Sequence, residues 1–542
     1  MQDYCNAAFA DKGKIGMPSS RFIHAFTALA GLSLLLVLAA CAEPRQEERT
    51  GFAVESEAAR RAGEGEVAVF TRAYEEILGS YIEPVTGADI VLPGIRQLGS
   101  IDPDFTAETD GIGLSLRQNG KTVGRIAYPA DDDAAQWARL TELALGVARQ
   151  YSPAIAGAGS AQLLRVVFAG VLSPLDRFTR YSPPEEARRQ RALREGSDGI
   201  GVALDKVGDE IRIGSLFPGG PAAAAGIRPG DRLVAIDGNS VEGMTLDAVA
   251  SRLDGAASSP VGLRIIRQGA ATALRFDLAR THVIPPTVSV RFENGVGFVR
   301  IASFNEDTRD SLAAEIARLQ AERKSGLRGL VLDLRSNPGG ILEQGVAVAA
   351  LFLDRGRIAM TTGRSAETDQ IYETRSGDMT GGLPLAVLVN GRSASSAEVV
   401  AAALQDNGRA VAVGSASFGK GSVQAVVPLP DDGELILTWA RLLTPAGYGL
   451  NGHGIVPSIC TSGLTGDAAL DRTGDRKTRP LVLANSRARL DEIGWIKLRA
   501  ACPPREEEGG ADAEIARHLV ADRLAWHRAL LAKPSSLAAV TP

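Results

Sequence analysis

The central part of the chain alternates between continuous apolar runs and stretches with apolar side chains every three or four residues. The continuous runs at 327–334 and 384–390 predict strands buried on both faces of a sheet, and a shorter run predicts a strand at 410–414. A strand at 296–304 opens this part, and a β-segment at 435–443 closes it. The helical spacing predicts three helices between the strands, at 308–323, 341–352 and 397–407. This order of strands and helices predicts an α/β sheet at the centre of the molecule.

The amino-terminal third is predicted to be mostly helical. Apolar side chains recur at helical spacing from Val67, a second helical unit is predicted at 161–171, and a charged helix follows at 184–195. The segment 110–158 interrupts this region and contains a predicted hairpin at 113–127, with Asn-Gly as its turn. Its role stays open.

The amino terminus has the pattern of a targeting segment. Basic residues precede an apolar run at 25–40, which is too short for a membrane span. The run ends in Leu-Ala-Ala-Cys, which resembles the lipobox of bacterial lipoproteins. The resemblance implies that a signal peptide, 1–40, is removed and that Cys41 is lipidated, followed by a tether at 41–65. A plain signal peptide or an uncleaved anchor is the alternative. We expect a periplasmic protein anchored by lipid to the cell membrane or outer membrane.

The composition and net charge of the chain bear on its class of function. The 542 residues are 45% hydrophobic and 23% charged, and the net charge of −5 gives no indication of nucleic-acid binding. No metal-ligand spacing is present in the sequence, and no cofactor is expected. If Cys5 is removed and Cys41 lipidated, Cys460 and Cys502 remain, and whether they form a disulfide stays open.

Candidate chemistry is concentrated in residues 390–424. A turn of small residues, several of them serines, lies between a predicted strand and a predicted helix, where helix amides can bind an oxyanion. Serine needs a base, and none of the five histidines has a recognisable catalytic context. Lys420 in a Gly-Lys-Gly loop becomes a base if burial lowers its pKa, and Gln424 could orient it. A surface lysine in a glycine-rich turn is the alternative.

This segment resembles the active-site region of the C-terminal processing peptidases, or tail-specific proteases (S41 type), which are serine proteases with a Ser-Lys-Gln arrangement. The separations along the chain from Ser395 to Lys420 and from Ser395 to Gln424 both match those of the family's nucleophile from its lysine and glutamine. The family's Ala-Ser before the glutamate is exchanged here to Ser396-Ala397. The resemblance implies that Ser395 is the nucleophile, that Lys420 is the base and that Gln424 positions the lysine.

The same resemblance implies an oxyanion hole and a fold. A Leu-Arg-x-Asn-Pro-Gly-Gly motif ends at residue 340, and its counterpart in the family supplies one amide donor. The donors here would be the amide of Gly339 or Gly340, with Gly340 favoured, together with that of Ser396. The implied core is a crotonase-like α/β protease. Its closing loop carries His453, interpreted as a solvent-facing residue, and Ser458 where the family usually has aspartate.

Residues 196–280 resemble a PDZ domain of the kind embedded in proteases. The counterpart of the carboxylate-binding loop and the start of the edge strand is Gly199, Ile200, Gly201 and Val202. The resemblance implies that an extended peptide pairs with this edge while loop amides hold its terminal carboxylate. A small β-domain without a ligand is the alternative. Many relatives carry Arg-Gly after the second helix, where this chain has Asp254-Gly255.

Together these features predict a multidomain α/β protein with a protease core, an inserted PDZ domain and an amino-terminal helical region. The expected domains are a signal peptide, a tether, a helical region, a PDZ domain, a protease core and an accessory region, at 1–40, 41–65, 66–195, 196–280, 281–460 and 461–542. The expected function is that of a cell-envelope serine endopeptidase that recognises the C-terminal tails of protein or peptide substrates and cleaves through an acyl-enzyme. Its alternatives are a non-catalytic PDZ scaffold and a Ser-Lys amidase or esterase. The substrate, a regulatory partner and the oligomeric state stay open.

Overall fold

The computed structural model describes residues 57–130, 132–270, 272–322, 326–463, 481–482 and 490–531. The predicted signal peptide, Cys41 and most of the predicted tether lie outside these residues. Within the described ranges, no helix is both long enough and apolar enough to cross a membrane.

The amino-terminal region is a helical layer with a small sheet. Its elements are α1 (Glu57–Ser80), α2 (Gly87–Arg96), β1 (Phe105–Thr109), β2 (Gly113–Gln118), β3 (Lys121–Ala127), α3 (Ala134–Tyr151), α4 (Pro153–Ala156), α5 (Ser160–Val171), β4 (Arg180–Ser182) and α6 (Pro184–Glu195). The predicted hairpin is confirmed, and Asn119 and Gly120 both have the positive φ that its tight turn requires. The first helix begins at Glu57, before the predicted start at Val67 and within the predicted tether.

The segment 110–158 has a structural role in this region. It supplies β2, β3, α3 and α4, and α3 packs along α1 with Leu145 and Ala148 in a core shared with Phe70 and Tyr74. The Tyr74 hydroxyl forms a 3.1 Å hydrogen bond with Thr141 Oγ1. The predicted insertion is therefore part of the core of the amino-terminal region.

The second region is a six-stranded sheet with two helices and a short strand pair beside it. Its elements are β5 (Ser197–Gly199), β6 (Val202–Val207), β7 (Glu210–Leu216), α7 (Pro221–Ala224), β8 (Arg232–Ile236), β9 (Asn239–Ser240), α8 (Leu246–Leu253), β10 (Pro260–Ile266), β11 (Leu274–Ala279) and β12 (Thr281–Val283). The strand order is β11-β10-β8-β7-β6, with β9 paired to β8, so β6 is an edge strand, as predicted. The Thr245 hydroxyl accepts a hydrogen bond from Ala248 N, 3.2 Å, and begins α8 as an N-cap.

The third region contains the predicted alternation of strands and helices. Its elements are β13 (Val288–Glu293), β14 (Val296–Ile301), α9 (Thr308–Glu322), β15 (Gly329–Asp333), α10 (Leu342–Ala350), β16 (Gly356–Gly363), β17 (Gln370–Thr374), β18 (Leu385–Val389), α11 (Ser396–Asp406), β19 (Val411–Gly414), β20 (Ser422–Pro428), β21 (Glu434–Leu443), β22 (Ile459–Cys460) and β23 (Leu481–Val482). The main sheet has the order β13-β14-β15-β18-β19-β22-β23. Its strands from β14 to β22 are parallel. The predicted α/β fold class is confirmed.

Both faces of the main sheet are buried, which explains its continuous apolar runs. Leu330 and Leu332 face the layer of α9, α10 and α11. Val331 points to the opposite face, which is covered by α13 (Gly510–Ala521) and α14 (Arg523–Leu530), chiefly by Ile515 and Val520 of α13. Helix α12 (Glu492–Ala501) instead packs through Trp495 and Leu498 with the cluster of the first face. The carboxyl-terminal segment, interpreted from sequence as an accessory region, thus supplies the second helical layer of the core.

A smaller sheet joins the amino-terminal region to the core. Its order is β17-β16-β21-β20, and β4 pairs with β21. Leu435 and Leu437 of β21 are buried in the core of the amino-terminal helices. The pairing of β4 brings the preceding segment, 176–180, to the loop between β19 and β20, where Lys420 lies.

Candidate active site

Ser395 lies at the turn between β18 and α11, at the carboxyl edge of the parallel sheet. Its backbone angles are φ 55° and ψ −120°, a left-handed conformation that costs a non-glycine residue roughly 1–3 kcal/mol. Hydrogen bonds hold this turn in place: Ala394 N donates to Asn337 O at 2.9 Å, and Ser395 N donates to Glu398 Oε2 at 2.8 Å. A strained serine at a strand-to-helix turn is the arrangement that presents a nucleophile at a sheet edge.

The neighbouring serines have structural partners. Ser393 is buried, and its hydroxyl donates to Leu334 O at 2.8 Å. Ser396 is also buried, and its hydroxyl donates to Gly340 O at 3.0 Å. Within the described residues, the Ser395 hydroxyl has no acceptor for its proton. Of the three, Ser395 is thus the serine whose hydroxyl is available for chemistry.

The glycine loop after β15 packs directly against this turn. A Cβ atom at Gly339 would lie 2.8 Å from Ser395 Cβ and 3.2 Å from Ser396 N, so only glycine allows this approach. The Gly339 amide donates to Asn337 Oδ1 at 2.8 Å. In the part of the chain that the structure describes, the amides of Gly340 and Ser396 have no acceptor.

Lys420 is half-buried in the loop between β19 and β20. Its Nζ lies 5.3 Å from the centroid of the Phe178 ring. Burial lowers the pKa of Lys420, the positive charge of Arg180 lowers this pKa further, and the negative charges of Glu398 and Asp176 oppose the shift. A lowered pKa increases the uncharged fraction of the lysine at a given pH, and only the uncharged amine can act as a general base. The segment that carries Phe178 and Arg180 had no predicted chemical role.

Glu398 connects the serine turn to the lysine loop. Its side chain is wholly buried, and Oε2 accepts from Ser395 N at 2.8 Å and from Lys420 N at 2.9 Å. The other oxygen, Oε1, accepts from Gly419 N at 2.7 Å and from the Ser417 hydroxyl. Burial nevertheless raises the pKa of the Glu398 carboxyl, and the four hydrogen bonds lower it in part.

Glu398 had no predicted role of its own. A signal was present, because it is the one ionisable residue among the ten consecutive buried residues of α11. A buried carboxylate is rare unless it is paired or fully hydrogen-bonded. A charged residue inside an otherwise small and apolar helix can therefore indicate a functional contact.

Gln424 lies on β20, but it is not hydrogen-bonded to the lysine. Its Nε2 donates to Ser422 Oγ at 2.8 Å and to Thr438 Oγ1 at 3.2 Å. Among the described residues, no hydrogen bond joins the side chains of Gln424 and Lys420, or those of Lys420 and Ser395. The structure brings the two loops together through Glu398, and the orienting role of Gln424 stays a prediction.

A groove lies between β6 and α8. It is lined by the predicted loop and strand residues together with apolar side chains of α8 and its surroundings, among them Gly199, Ile200, Gly201, Val202, Phe217 and Leu253. Gly201 has a φ of 74°, which glycine adopts without strain. Edge strand, loop and helix have the arrangement that strand addition of a peptide requires.

Asp254 lies at the end of this groove that is nearest the loop. A Cβ atom at Gly199 would lie 3.2 Å from its Oδ1, and the Ser197 hydroxyl lies 3.5 Å from the same oxygen. Burial raises the pKa of Asp254 and the charge of Asp198 adds to this, whereas the Ser197 hydrogen bond and the charges of Arg280 and Arg188 lower it.

The carboxyl-terminal helix α12 completes the surroundings of the lysine loop. A disulfide joins Cys460 to Cys502, which answers the question that the sequence left open. His453, predicted to face solvent, is only partly exposed. Its ring stacks on Trp495 of α12 with centroids 4.8 Å apart, and its Nε2 lies 3.1 Å from Glu492 Oε2. The described residues contain no cluster of His, Cys, Asp and Glu that could hold a metal ion.

Residues 295–461 match Peptidase family S41, and residues 212–267 match the PDZ domain family. The carboxy-terminal-processing protease of Bartonella bacilliformis is 38% identical over 300 residues, which cover 55% of this chain and 69% of that protein. The carboxyl-terminal-processing protease of a Picosynechococcus species is 35% identical over 292 residues, which cover 52% of this chain and 69% of that protein. The solved photosystem II D1 C-terminal processing protease is 28% identical, covers 72% of this chain and 92% of that one, and has a TM-score of 0.36.

The identity of 38% to the first of these relatives extends over 69% of that protein, so the likeness includes most of it. The matched S41 segment contains the glycine loop, the serine turn and the lysine loop, and the matched PDZ segment contains most of the sheet beside the groove. The chain therefore belongs to peptidase family S41, the family of the C-terminal-processing serine proteases, and carries a PDZ domain.

Proposed function

We propose that this chain is a serine endopeptidase that captures C-terminal tails of proteins in the groove between β6 and α8 and cleaves them with Ser395 and Lys420. The observation that carries the proposal is the single Glu398 oxygen that accepts hydrogen bonds from the backbones of both residues. This contact holds the nucleophile and the base, which lie on different loops of the core, on one buried group. Positioning of this kind supplies a large part of the rate enhancement in acyl transfer.

Uncharged Lys420 would take the proton of the Ser395 hydroxyl while the Ser395 oxygen forms a bond to the scissile carbonyl carbon. The Lys420 ammonium would then give this proton to the leaving amine, and the C–N bond breaks to leave an acyl-enzyme. Water, deprotonated by the same lysine, would cleave the ester and restore the Ser395 hydroxyl. For these steps the lysine must move from the face of the Phe178 ring to the Ser395 hydroxyl, and Gln424 would orient it there.

The amides of Gly340 and Ser396 would stabilise the negative oxygen of the tetrahedral intermediates. Gly340 is favoured over Gly339 because the Gly339 amide already donates to Asn337. The Ser396 amide belongs to the first turn of α11, where backbone N–H groups have no partner within the helix. Removing one donor of this type typically costs roughly 2.7–4 kcal/mol of transition-state stabilisation.

The cleavage test uses the pure protein and an unfolded substrate that ends in apolar residues. We expect Ser395→Ala and Lys420→Ala each to abolish cleavage, because one removes the nucleophile and the other the base. Lys121→Ala, at an exposed hairpin position, is the matched control and should cleave normally. The products are measured by mass spectrometry. Full activity in Ser395→Ala or Lys420→Ala refutes the mechanism.

Tail capture is tested separately, by binding of a peptide to the Ser395→Ala protein. A peptide with a free terminal carboxylate should bind, and the same peptide with an amidated terminus should bind more weakly. Equal binding of the two peptides contradicts recognition of the carboxylate. Binding without any cleavage by the wild-type protein would instead support the non-catalytic scaffold.

The proposed location is the cell envelope, with a lipid on Cys41. The support is the basic and apolar pattern of the amino terminus and its Leu-Ala-Ala-Cys ending. Cys41→Ser should abolish labelling of the protein by a radioactive fatty acid and release it from the membrane fraction. Unchanged labelling of this variant would contradict the assignment.

A further inference from the structure

Helix α12 follows the segment that matches the S41 family, yet one of its side chains reaches the lysine loop. Arg499 is half-buried. Its Nη2 donates to Ser417 O at 3.1 Å, and its Nη1 donates to His453 O. Ser417 precedes Lys420 in the same loop, so the guanidinium binds a carbonyl of the loop that carries the proposed base.

The guanidinium also lies beside the buried carboxylate of Glu398. A Cβ atom at Gly454 would lie 2.9 Å from Arg499 Nη1 and 3.1 Å from Glu398 Oε1, so the two groups approach the same point. A buried carboxylate is costly to keep ionised without a positive charge nearby. Two cations interact electrostatically with Glu398 in the described structure, Lys420 and Arg499.

Only one of these cations can stay charged beside Glu398 throughout the reaction. Lys420 must be uncharged when it acts as the base, so it cannot balance Glu398 at that moment. An arginine keeps its charge at every accessible pH. Arg499 is thus the permanent countercharge that lets Glu398 stay an acceptor for the Ser395 and Lys420 amides.

The position of Arg499 is fixed on both sides along α12. One turn earlier, Trp495 packs against Tyr448 and His453, with ring centroids 4.7 Å and 4.8 Å apart. Just past the end of the helix, Cys502 is joined to Cys460 at the end of β22 by the disulfide. These contacts hold the guanidinium against the lysine loop.

We propose that Arg499 of the carboxyl-terminal helix is a positioning residue for the proteolytic reaction: it balances the charge of Glu398 and holds the Ser417 carbonyl, and so keeps Lys420 in place for Ser395. The proposal rests on the Ser-Lys mechanism proposed above. It assigns the carboxyl-terminal segment a part in catalysis without contact to substrate. The charged groups around Lys420 are Glu398 of α11, Asp176 and Arg180 of the segment at β4, and Arg499 acts on them through Glu398.

The test compares Arg499→Gln with Arg499→Lys, and with Lys497→Gln, which removes a charge from an exposed position of the same helix. We expect kcat at pH 7.5 to fall at least tenfold in Arg499→Gln with KM within twofold of wild type, because the groove contains no residue of α12. The rise of kcat with pH should move to lower pH, because Glu398 without its countercharge takes up a proton and no longer favours protonated Lys420. Arg499→Lys should recover most of kcat, since it keeps the charge, and Lys497→Gln should equal wild type.

A kcat in Arg499→Gln within twofold of that in Lys497→Gln overturns the proposal. A change in KM without a fall in kcat also overturns the proposal. If Arg499→Gln does not fold, the paired variant Cys460→Ser, Cys502→Ser loosens α12 without changing Arg499, and it should lower kcat with KM unchanged. If that variant folds and has the kcat of the wild type, the proposal is overturned. Activity in Ser395→Ala or Lys420→Ala would instead refute the underlying mechanism, so the two failures are distinguishable.

Discussion

The proposed catalytic centre and the proposed peptide groove each contain a carboxylate with a pKa raised by burial, but the two carboxylates differ in their hydrogen bonds. Glu398 is wholly buried and accepts four hydrogen bonds. The side chain of Asp254 is exposed to solvent and has one long contact, 3.5 Å, with the Ser197 hydroxyl. Glu398 therefore holds four donor groups in place. Asp254 holds only one, so its end of the groove can adjust to a ligand.

This difference reflects what each region must do. Acyl transfer requires reacting groups to be held in place before the substrate arrives, and a saturated, buried hydrogen-bond network does so. A groove that captures an incoming strand must supply unpaired backbone groups and adapt to the ligand. The comparison therefore predicts that changes at Glu398 act on kcat and that changes at Asp254 act on peptide affinity.

The largest effect is expected for Glu398→Gln. The substituted amide keeps the size of the side chain but turns one acceptor into a donor, which faces backbone N–H groups instead of accepting from them. We expect kcat to fall about 1,000-fold, equivalent to about 4 kcal/mol, while peptide binding to the groove is unchanged. Steady-state kinetics and a binding assay on the same preparation measure both. A normal kcat in Glu398→Gln would contradict the view that Glu398 holds the reacting groups in place.

The disulfide should matter for the stability of the protease core but not for that of the groove. It closes a sequence separation of 42 residues, for which chain entropy gives about 3–4 kcal/mol of unfolding free energy. We expect the paired Cys460→Ser, Cys502→Ser variant to unfold at lower denaturant concentration, as followed by hydrogen exchange of β19 and β22. Exchange in β6 and β7 serves as the internal control and should be the same as in wild type.

The pH dependence of cleavage should reveal the lowered pKa of Lys420. Below that pKa the uncharged fraction, and with it kcat/KM, rises about tenfold per pH unit and then levels off. Because the charge of Arg180 helps to lower this pKa, Arg180→Gln should move the rise to higher pH. A pH–rate profile that stays flat from pH 5 to 10 in wild type would exclude lysine as the base.

The smallest effect is expected for Asp254→Asn. When Asp254 is ionised it repels the terminal carboxylate of a bound peptide, so its raised pKa predicts tighter binding as the pH falls. The asparagine variant should bind a few-fold more tightly than wild type at pH 8, where about 1 kcal/mol of repulsion is removed, and this advantage should shrink as the pH falls. Titration calorimetry with the Ser395→Ala background measures this. A peptide with an amidated terminus is the control, and its affinity should not respond to the substitution.

Much of the fold could be predicted because its signals are local. The buried run that forms β15 and the Asn119–Gly120 turn depend on residues next to one another, and both are found as predicted. The family could be recognised because the serine, the lysine and the glycine loop have fixed separations in the chain. The pairing of β4 with β21, which brings Phe178 to Lys420, joins the amino-terminal region to a strand late in the core, and no local pattern indicates it.

The sequence by itself thus determined the alternation of strands and helices, the edge strand of the groove and the identity of the residues proposed for catalysis. Only the tertiary structure decided that α13 and α14 cover the second face of the sheet, that Cys460 meets Cys502, and that Glu398 lies between Ser395, Lys420 and Arg499. The physical reason is that periodicity and spacing depend on near neighbours along the chain. Which buried charge meets which partner is set only when distant segments close around a common core.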